Sequence, residues 1–160
     1  MNNLVIRKAT KEDLKEILEI ESYSFVVPWN KEAWEAEFND NPFATILVAT
    51  LNNKVIGFLD YYITFNSSTI AQIAVDKEFR RQGVAEALMN YMFDSIESSN
   101  KSLKDEAEIN DRFVELMTLE VRESNEKAIN MYIKLGFKGL RKKPHYYKDG
   151  ETALYLGKWF

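Results

Sequence analysis

Cysteine is absent from this chain of 160 residues, and histidine occurs once, as His145. Without thiols the chain forms no disulfide framework, no thiolate metal site and no cysteine nucleophile. A single histidine also leaves no multi-histidine metal site and makes a histidine-centred triad a poor fit. We therefore predict no metal cofactor. We place His145 on the surface, with secondary proton transfer as the alternative.

An excess of positive charge and long apolar runs are also missing. The 21 lysines and arginines are outnumbered by 25 aspartates and glutamates, so the formal net charge is −4. No overall positive field is available for a phosphate backbone, and we expect no direct nucleic-acid partner. No apolar run is long enough to span a membrane, and the first 14 residues already carry several charges, unlike a secretory signal. We expect a cytoplasmic protein without a membrane partner.

The distribution of apolar residues predicts a single α/β domain over residues 1–160. The predicted order is β-α-α-β-β-β-α-β-α-β-β, with about seven strands and four helices. Two strand–helix–strand crossovers suit a mixed sheet. Strands are expected near residues 4–6, 44–51, 54–63, 69–75, 114–121, 137–141 and 152–159. Residues 98–112 are polar, and we interpret them as an insertion made of a helix extension and a surface loop.

One turn has the features of an anion-binding site. An apolar strand ending in Ile73-Ala74-Val75 leads through Arg80-Arg81-Gln82 to a helix that starts at Gly83-Val84-Ala85-Glu86. Free N–H groups at a helix start bind an anion without a side-chain ligand, and a glycine lets the backbone come close. The alternative is an ordinary helix start beside two surface arginines. The turn lacks the lysine of a Walker loop and the three glycines of a dinucleotide motif.

Two segments carry a resemblance to a known family. Arg80-x-x-Gly83-x-Ala85 after an apolar strand resembles the acetyl-CoA pyrophosphate motif of the GNAT superfamily of N-acetyltransferases. Residues 119–137, from Leu-Glu-Val-Arg-x-Ser-Asn to Leu-Gly-Phe, resemble the signature of bacterial ribosomal-protein-alanine and archaeal N-terminal acetyltransferases. The resemblance covers nearly the whole chain order. It implies a mixed, mostly antiparallel GNAT-like sheet, with acetyl-CoA as acetyl donor and CoA as product.

The same resemblance implies roles for individual residues. The positions matching Glu120 and Tyr132 act as general base and general acid, and the position matching Asn125 contacts the cofactor. The backbone of residues 73–75 pairs with the pantetheine arm, and residues 80–86 hold the pyrophosphate. This chemistry is reasonable, because a carboxylate can take the proton of an amine and a phenol can supply one to the departing sulfur.

Structural alternatives exist for each of these residues. Glu120 could simply pair with Arg122 or Lys138, and Tyr132 could be a core tyrosine with a satisfied hydroxyl. Asn125 would cap a helix well even in a protein that binds nothing.

Two aromatic loops resemble those that grip an incoming N-terminus in these families. One contributes Phe25, Val27, Pro28 and Trp29, and the other, in the last hairpin, contributes Tyr146 and Tyr147. The alternative is that Trp29 and Tyr147 only pack. We interpret Arg141-Lys142-Lys143 as a solvated basic run, with attraction of an acidic substrate segment as the alternative.

The sequence thus predicts an acetyltransferase for the N-terminal amine of a ribosomal protein or of proteins more broadly. The same chemistry on a polyamine, amino acid, antibiotic or lysine side chain stays open, as does a CoA-binding module without catalysis. The preferred first residue of the acceptor and the choice between monomer and homodimer also stay open.

Overall fold

The computed structural model describes residues 1–104 and 113–160. Within these residues, seven strands and four helices follow one another in the predicted order, with short 3-10 helices at Lys11–Asp13 and Lys77–Phe79. The strands are β1 (Leu4–Lys8), β2 (Ala44–Leu51), β3 (Lys54–Thr64), β4 (Ser67–Val75), β5 (Leu116–Arg122), β6 (Lys138–Lys143) and β7 (Ala153–Trp159). The helices are α1 (Leu14–Ser24), α2 (Lys31–Asp40), α3 (Val84–Lys104) and α4 (Glu126–Lys134).

The strands form a mixed sheet with the order β1-β2-β3-β4-β5-β7-β6. β1 with β2, β2 with β3, β5 with β7 and β6 with β7 pair antiparallel, whereas β4 and β5 run parallel. The mostly antiparallel sheet confirms the predicted fold class. In the part of the chain that the structure describes, no helix is both long and apolar enough to cross a membrane.

The chain divides into two compact units. The first unit comprises Met1–Tyr62 and Ala71–Ser95, and the second comprises Ile63–Ile70 and Ile96–Phe160. The prediction of one domain over residues 1–160 stays a prediction.

The first unit buries an apolar core between helices α1 and α2 and its strands. Trp34 on α2 is fully buried, with its ring centroid 5.2 Å from that of Phe58 on β3 in an edge-to-face arrangement. Asn30 caps α2 as its sequence position suggests, because Oδ1 accepts a hydrogen bond from the N–H of Ala33 at 2.9 Å. The predicted Asn52-Asn53 hairpin is confirmed, with φ of 50° and 65° at the two residues.

The second unit contains helix α4 and strands β5, β6 and β7. Gly136, with φ of +94°, ends α4, and the N–H of Phe137 donates to the carbonyl of Tyr132 at 3.0 Å. This is the Schellman pattern expected for a glycine just after a helix. The rings of Tyr132 and Phe137 lie 5.7 Å apart, so the end of the helix also fixes the tyrosine.

The predicted insertion at 98–112 lies partly in α3, which continues to Lys104 and confirms the helix extension. Residues 105–112, where the surface loop was predicted, lie outside the described residues. Buried Asn100 donates to the carbonyl of Val114 at 2.8 Å and accepts from its N–H at 2.9 Å. One amide side chain therefore joins the residues on either side of that segment.

Candidate active site

The second unit brings a carboxylate and four tyrosines together, which we call the tyrosine cluster: Glu120, Tyr132, Tyr146, Tyr147 and Tyr155. Glu120 on β5 lies directly opposite Tyr155 on β7, so both side chains point to the same face of the sheet. Four members of this cluster were predicted as site residues. Tyr155 was not, because only the strand register reveals it.

Glu120 is accessible and paired. Its side chain is 23% exposed, and Oε1 accepts a hydrogen bond from Nζ of Lys143 at 2.6 Å. The cation beside it is therefore Lys143, rather than Arg122 or Lys138 as the sequence suggested. Lys143 is not merely part of a solvated run, since its ammonium also lies 4.3 Å from the ring centroid of Tyr155.

Tyr132 on α4 is only 5% exposed. Burial raises the pKa of its phenol, and nearby Tyr147 raises that pKa further. A phenol with a raised pKa keeps its proton at neutral pH and can give it to a base that forms close by. Tyr132 is therefore packed as a core tyrosine, and its role as general acid stays a prediction.

Tyr147 links the other members of the cluster. Its ring lies 5.1 Å from that of Tyr146 and carries the guanidinium of Arg122 at 4.0 Å from its centroid. Burial raises the pKa of Tyr147 to about 12, against the lowering effect of Arg122 and with a smaller raising effect from Glu120. Glu120 thus contributes to raising the pKa of Tyr147, and Tyr147 contributes to raising the pKa of Tyr132.

A group of hydrogen bonds that the sequence did not predict joins the loop of Tyr146 and Tyr147 to the end of β5. We call this group the polar latch (Arg122, Ser124, Asp149 and Glu151). Arg122 donates to Glu151 at 2.7 Å and to Asp149 at 2.8 Å. Ser124 donates to Glu151 from its N–H at 3.0 Å and also from its hydroxyl. The bonds from Ser124, followed by those from Arg122, lower the pKa of Glu151 to about 2, so its carboxyl is ionised at neutral pH.

Asn125 follows this latch and caps α4. Its Oδ1 accepts from the N–H of Ala128 at 3.2 Å, so the capping role weighed from the sequence is present. Its predicted contact with the cofactor stays a prediction.

The first unit contains the predicted anion site, which we call the glycine turn (residues 76–86). Gly83 has φ of +81° and Arg81 has φ of +59°, a conformation that turns the chain sharply into α3. The carbonyl of Gly83 accepts from the N–H of Ala87 at 2.9 Å, which closes the first helical turn. The N–H groups in the first turn of helix α3 have no hydrogen-bond partner within the helix. Backbone donors at a helix start fit a pyrophosphate.

Arg80 and Gln82 shape the glycine turn through hydrogen bonds of their own. Nε of Arg80 donates to the carbonyl of Val75 at 3.0 Å, and Nε2 of Gln82 donates to the carbonyl of Glu78 at 3.1 Å. Arg81 is exposed. Of the three predicted β4 residues, Ala74 is buried, whereas Ile73 and Val75 are half-buried on the other side of the strand.

The residues of the predicted loop at 25–29 differ in how far their side chains are buried. Phe25 and Trp29 pack against the core of the first unit, with the ring of Trp29 5.3 Å from that of Trp34. Val27 and Pro28 are exposed. Packing thus accounts for the two aromatic residues, and their predicted contact with substrate stays a prediction.

Comparisons with known proteins agree on one family. Residues 14–137 match the profile of the Acetyltransferase (GNAT) family. The N-alpha-acetyltransferase of Saccharolobus solfataricus is 32% identical over 176 residues, covering 98% of this chain and 93% of that protein. The ribosomal protein bS18-alanine N-acetyltransferase of Escherichia coli K12 is 29% identical over 147 residues, covering 90% of this chain and 89% of that protein.

A solved structure gives the same result for the fold. The crystal structure of the ribosomal-protein-S18-alanine N-acetyltransferase from Escherichia coli has a TM-score of 0.80 and 27% identity, covering 98% of this chain and 93% of that one. The seven-stranded, mostly antiparallel sheet with four helices is the fold that the two share. The chain belongs to the acetyltransferase (GNAT) family, and acetyl-CoA is the donor of the acetyl group that it transfers.

Proposed function

We propose that this acetyltransferase modifies the N-terminal α-amine of a protein, either a ribosomal protein or protein N-termini more broadly. The observation that carries the proposal is the tyrosine cluster, in which an accessible carboxylate, Glu120, and a buried, protonated phenol, Tyr132, are both close to Tyr147. The proposal is supported by the relatives whose names describe acetylation of alanine or of an α-amine.

Glu120 is the general base in this proposal. An α-amine has a pKa of about 8, so at neutral pH most of it is protonated and not nucleophilic. The carboxylate of Glu120 is accessible from solvent and can accept that proton directly or through one water. The neutral amine then attacks the acetyl carbonyl carbon.

Tyr132 is the general acid. When the bond from the acetyl group to the CoA sulfur breaks, the departing sulfur needs a proton. Burial keeps the phenol of Tyr132 protonated at neutral pH, because it raises the pKa. The hydroxyl can therefore supply that proton.

The glycine turn holds the donor in this proposal. Acetyl-CoA supplies the acetyl group as a thioester, and its pyrophosphate meets the N–H groups of residues 83–86 and the exposed charge of Arg81. The pantetheine arm pairs with the backbone of residues 73–75, where the carbonyl of Val75 also accepts a hydrogen bond from Nε of Arg80 at 3.0 Å.

The acceptor chain meets the exposed part of the loop before β7, where Tyr146 is 49% exposed and offers apolar surface to a bound peptide. Val27 is 58% exposed in the loop of residues 25–29, and its contact with substrate is a separate prediction. Tyr147 is half-buried, and the polar latch holds its loop in place. The paired rings of Tyr146 and Tyr147 give this loop an aromatic surface that a free chain end can contact.

The test is CoA release from acetyl-CoA with a panel of acceptors. The panel contains peptides with free Ala, Ser, Thr, Met or Glu N-termini, N-blocked lysine peptides and spermidine. Glu120→Gln and Tyr132→Phe are expected to lower kcat on the free N-termini by about 100-fold or more, because each removes a proton-transfer group.

Two matched variants control for the substitutions themselves. Tyr61→Phe removes a hydroxyl from another buried tyrosine, and Glu123→Gln neutralises another carboxylate at the end of the same β5 segment. Both are expected to keep kcat within about twofold. Turnover of spermidine or blocked lysine peptides alone would contradict the proposal, and acetyl-CoA binding without turnover of any acceptor would favour a non-catalytic CoA-binding module.

A further inference from the structure

Lys143 lies in a setting that recognises ammonium groups. Its Nζ is 2.6 Å from Oε1 of Glu120, 4.3 Å from the ring centroid of Tyr155 and 5.2 Å from that of Tyr146. Both members of the ion pair are partly shielded, with side-chain exposures of 22% for Lys143 and 23% for Glu120. A carboxylate with aromatic rings around it is a common way for proteins to bind an ammonium ion.

Such a site recognises the charge and size of an ammonium group rather than the chain that carries it. The protonated α-amine of an acceptor has the same charge and the same hydrogen-bond donors as Nζ of Lys143. Two ammonium groups at one carboxylate would repel each other, since like charges at this separation are unfavourable. An acceptor ammonium that contacts Glu120 directly therefore does so only as Lys143 leaves it.

We propose that Lys143 is a specificity-determining residue, whose ammonium fills the subsite formed by Glu120, Tyr146 and Tyr155 until an acceptor amine displaces it. This inference rests on the proposed function, in which Glu120 receives the acceptor's proton. The displacement is close to an exchange of like for like, because the incoming ammonium takes over the contact with Glu120 that Lys143 gives up. Lys143 thus acts as a competitor inside the protein and leaves the chemistry to other groups.

The displaced ammonium stays attached to β6 and keeps influencing the acceptor. Arg141 lies on the same face of β6, with its guanidinium 5.5 Å from the ring centroid of Tyr155. An acceptor at Glu120 therefore meets two cations nearby. Acceptors with one ammonium group are favoured over a polyamine such as spermidine, whose further charges are repelled.

The test separates acceptor binding from chemistry in Lys143→Met, which keeps the length of the side chain and removes its charge. The KM for a peptide beginning Ala-Ser is expected to fall about fivefold, with kcat within about twofold, because the competitor is gone. Lys143→Arg keeps a cation at this position, and its KM is therefore expected to stay close to that of the unaltered enzyme. Lys142→Met is the matched control and is expected to leave the KM for the acceptor unchanged. The ammonium of Lys142 pairs with Glu123 at 2.5 Å.

An unchanged acceptor KM in Lys143→Met would overturn the inference. So would a fall in kcat at constant KM, because it would mean that Lys143 orients Glu120. Either result leaves the proposed function intact as long as free N-termini are acetylated.

A second measurement does not depend on catalysis. Labelling with an amine-reactive ester, read by mass spectrometry, compares Lys143 with Lys31, an exposed lysine paired with Glu35. The Ala-Ser peptide is expected to raise the ratio of labelled Lys143 to labelled Lys31, whereas the N-acetylated peptide is not. An unchanged ratio refutes displacement even if the enzyme acetylates none of the acceptors.

Discussion

The glycine turn and the tyrosine cluster are built in opposite ways. The glycine turn offers backbone N–H groups, and its side chains Arg80 and Gln82 are engaged with carbonyls of the chain itself. The tyrosine cluster offers side chains, which reach one another from β5, α4, β7 and the loop before β7. A backbone site is sensitive to conformation at single residues, whereas a side-chain site is sensitive to register and charge. We therefore expect different kinds of substitution to impair ligand binding at the two regions.

The largest expected effect is at Gly83. Its φ of +81° is strained for a residue with a branched Cβ, so Gly83→Val should disturb the start of α3. We expect the Kd for CoA, measured by calorimetry, to rise on the order of tenfold. Arg81→Ala should raise it only about twofold, since an exposed charge contributes little.

Gly139→Val is the matched control for this prediction. A Cβ at Gly139 meets no atom within 4 Å, and its φ is not positive. CoA affinity should stay unchanged in this variant. A stronger effect from Arg81→Ala than from Gly83→Val would show that the glycine turn works through side-chain charge.

A smaller effect is expected from Glu151→Gln, which weakens the latch that holds Tyr146 and Tyr147. The acceptor KM should rise about threefold while the KM for acetyl-CoA stays constant, because hydrogen bonds to a charged group are lost. Glu115→Gln, at an exposed carboxylate one residue before β5, controls for the loss of charge. An equal rise in both KM values would argue against a latch that serves only the acceptor.

The effect of Glu151→Gln on stability is also expected to depend on pH. The pKa of Glu151 is lowered from 4.5 to about 2, so its contribution to stability is full above pH 4.5 and is lost as the pH falls towards 2. Thermal unfolding should show a lower Tm for Glu151→Gln at neutral pH. The Tm values of the two proteins should converge in acid, and a constant difference down to the lowest pH would contradict the assignment.

The features that the sequence predicted correctly follow from local rules. Gly136 after α4, Asn30 before α2 and the Asn52-Asn53 hairpin each depend on the conformational preference of one or two residues. The order of strands and helices likewise follows from periodicity along short stretches. These rules place Gly83 at the start of a helix without any knowledge of its neighbours in space.

The partner of Glu120 could not be predicted because one extra residue changes the register. The pairing of β6 with β7 shifts between Gly139 and Arg141, which leaves Leu140 unpaired and sets Arg141 opposite Tyr155. Such a bulge moves the following side chains to the other face of the sheet. The strand also runs to Lys143, beyond the predicted end at residue 141, so that this lysine lies on the face of Glu120.

The polar latch could not be predicted from the sequence for a related reason. Arg122 and Glu151 are 29 positions apart in the sequence, and only the pairing of β5 with β7 brings them together. A charged pair at such a separation has no local pattern. The residues that complete the site are thus the ones that depend on tertiary structure.

The smallest expected effect separates the two roles of Asn125. Aspartate caps a helix as well as asparagine does, so Asn125→Asp should keep the Tm, whereas Asn125→Ala should cost about 1 kcal/mol. Aspartate lacks the amide donor and adds negative charge, which is unfavourable beside a phosphate-bearing ligand. We therefore expect Asn125→Asp to raise the KM for acetyl-CoA about twofold at unchanged Tm.

Asn30→Asp at the cap of α2 is the control, because Asn30 makes the same capping bond at a helix to which no cofactor contact is assigned. It should change neither the Tm nor the KM. If Asn125→Asp also leaves the KM for acetyl-CoA unchanged, Asn125 is a helix cap alone. The donor would then be held without it, and the tyrosine cluster and its neighbours would serve only the acceptor and the transfer of protons.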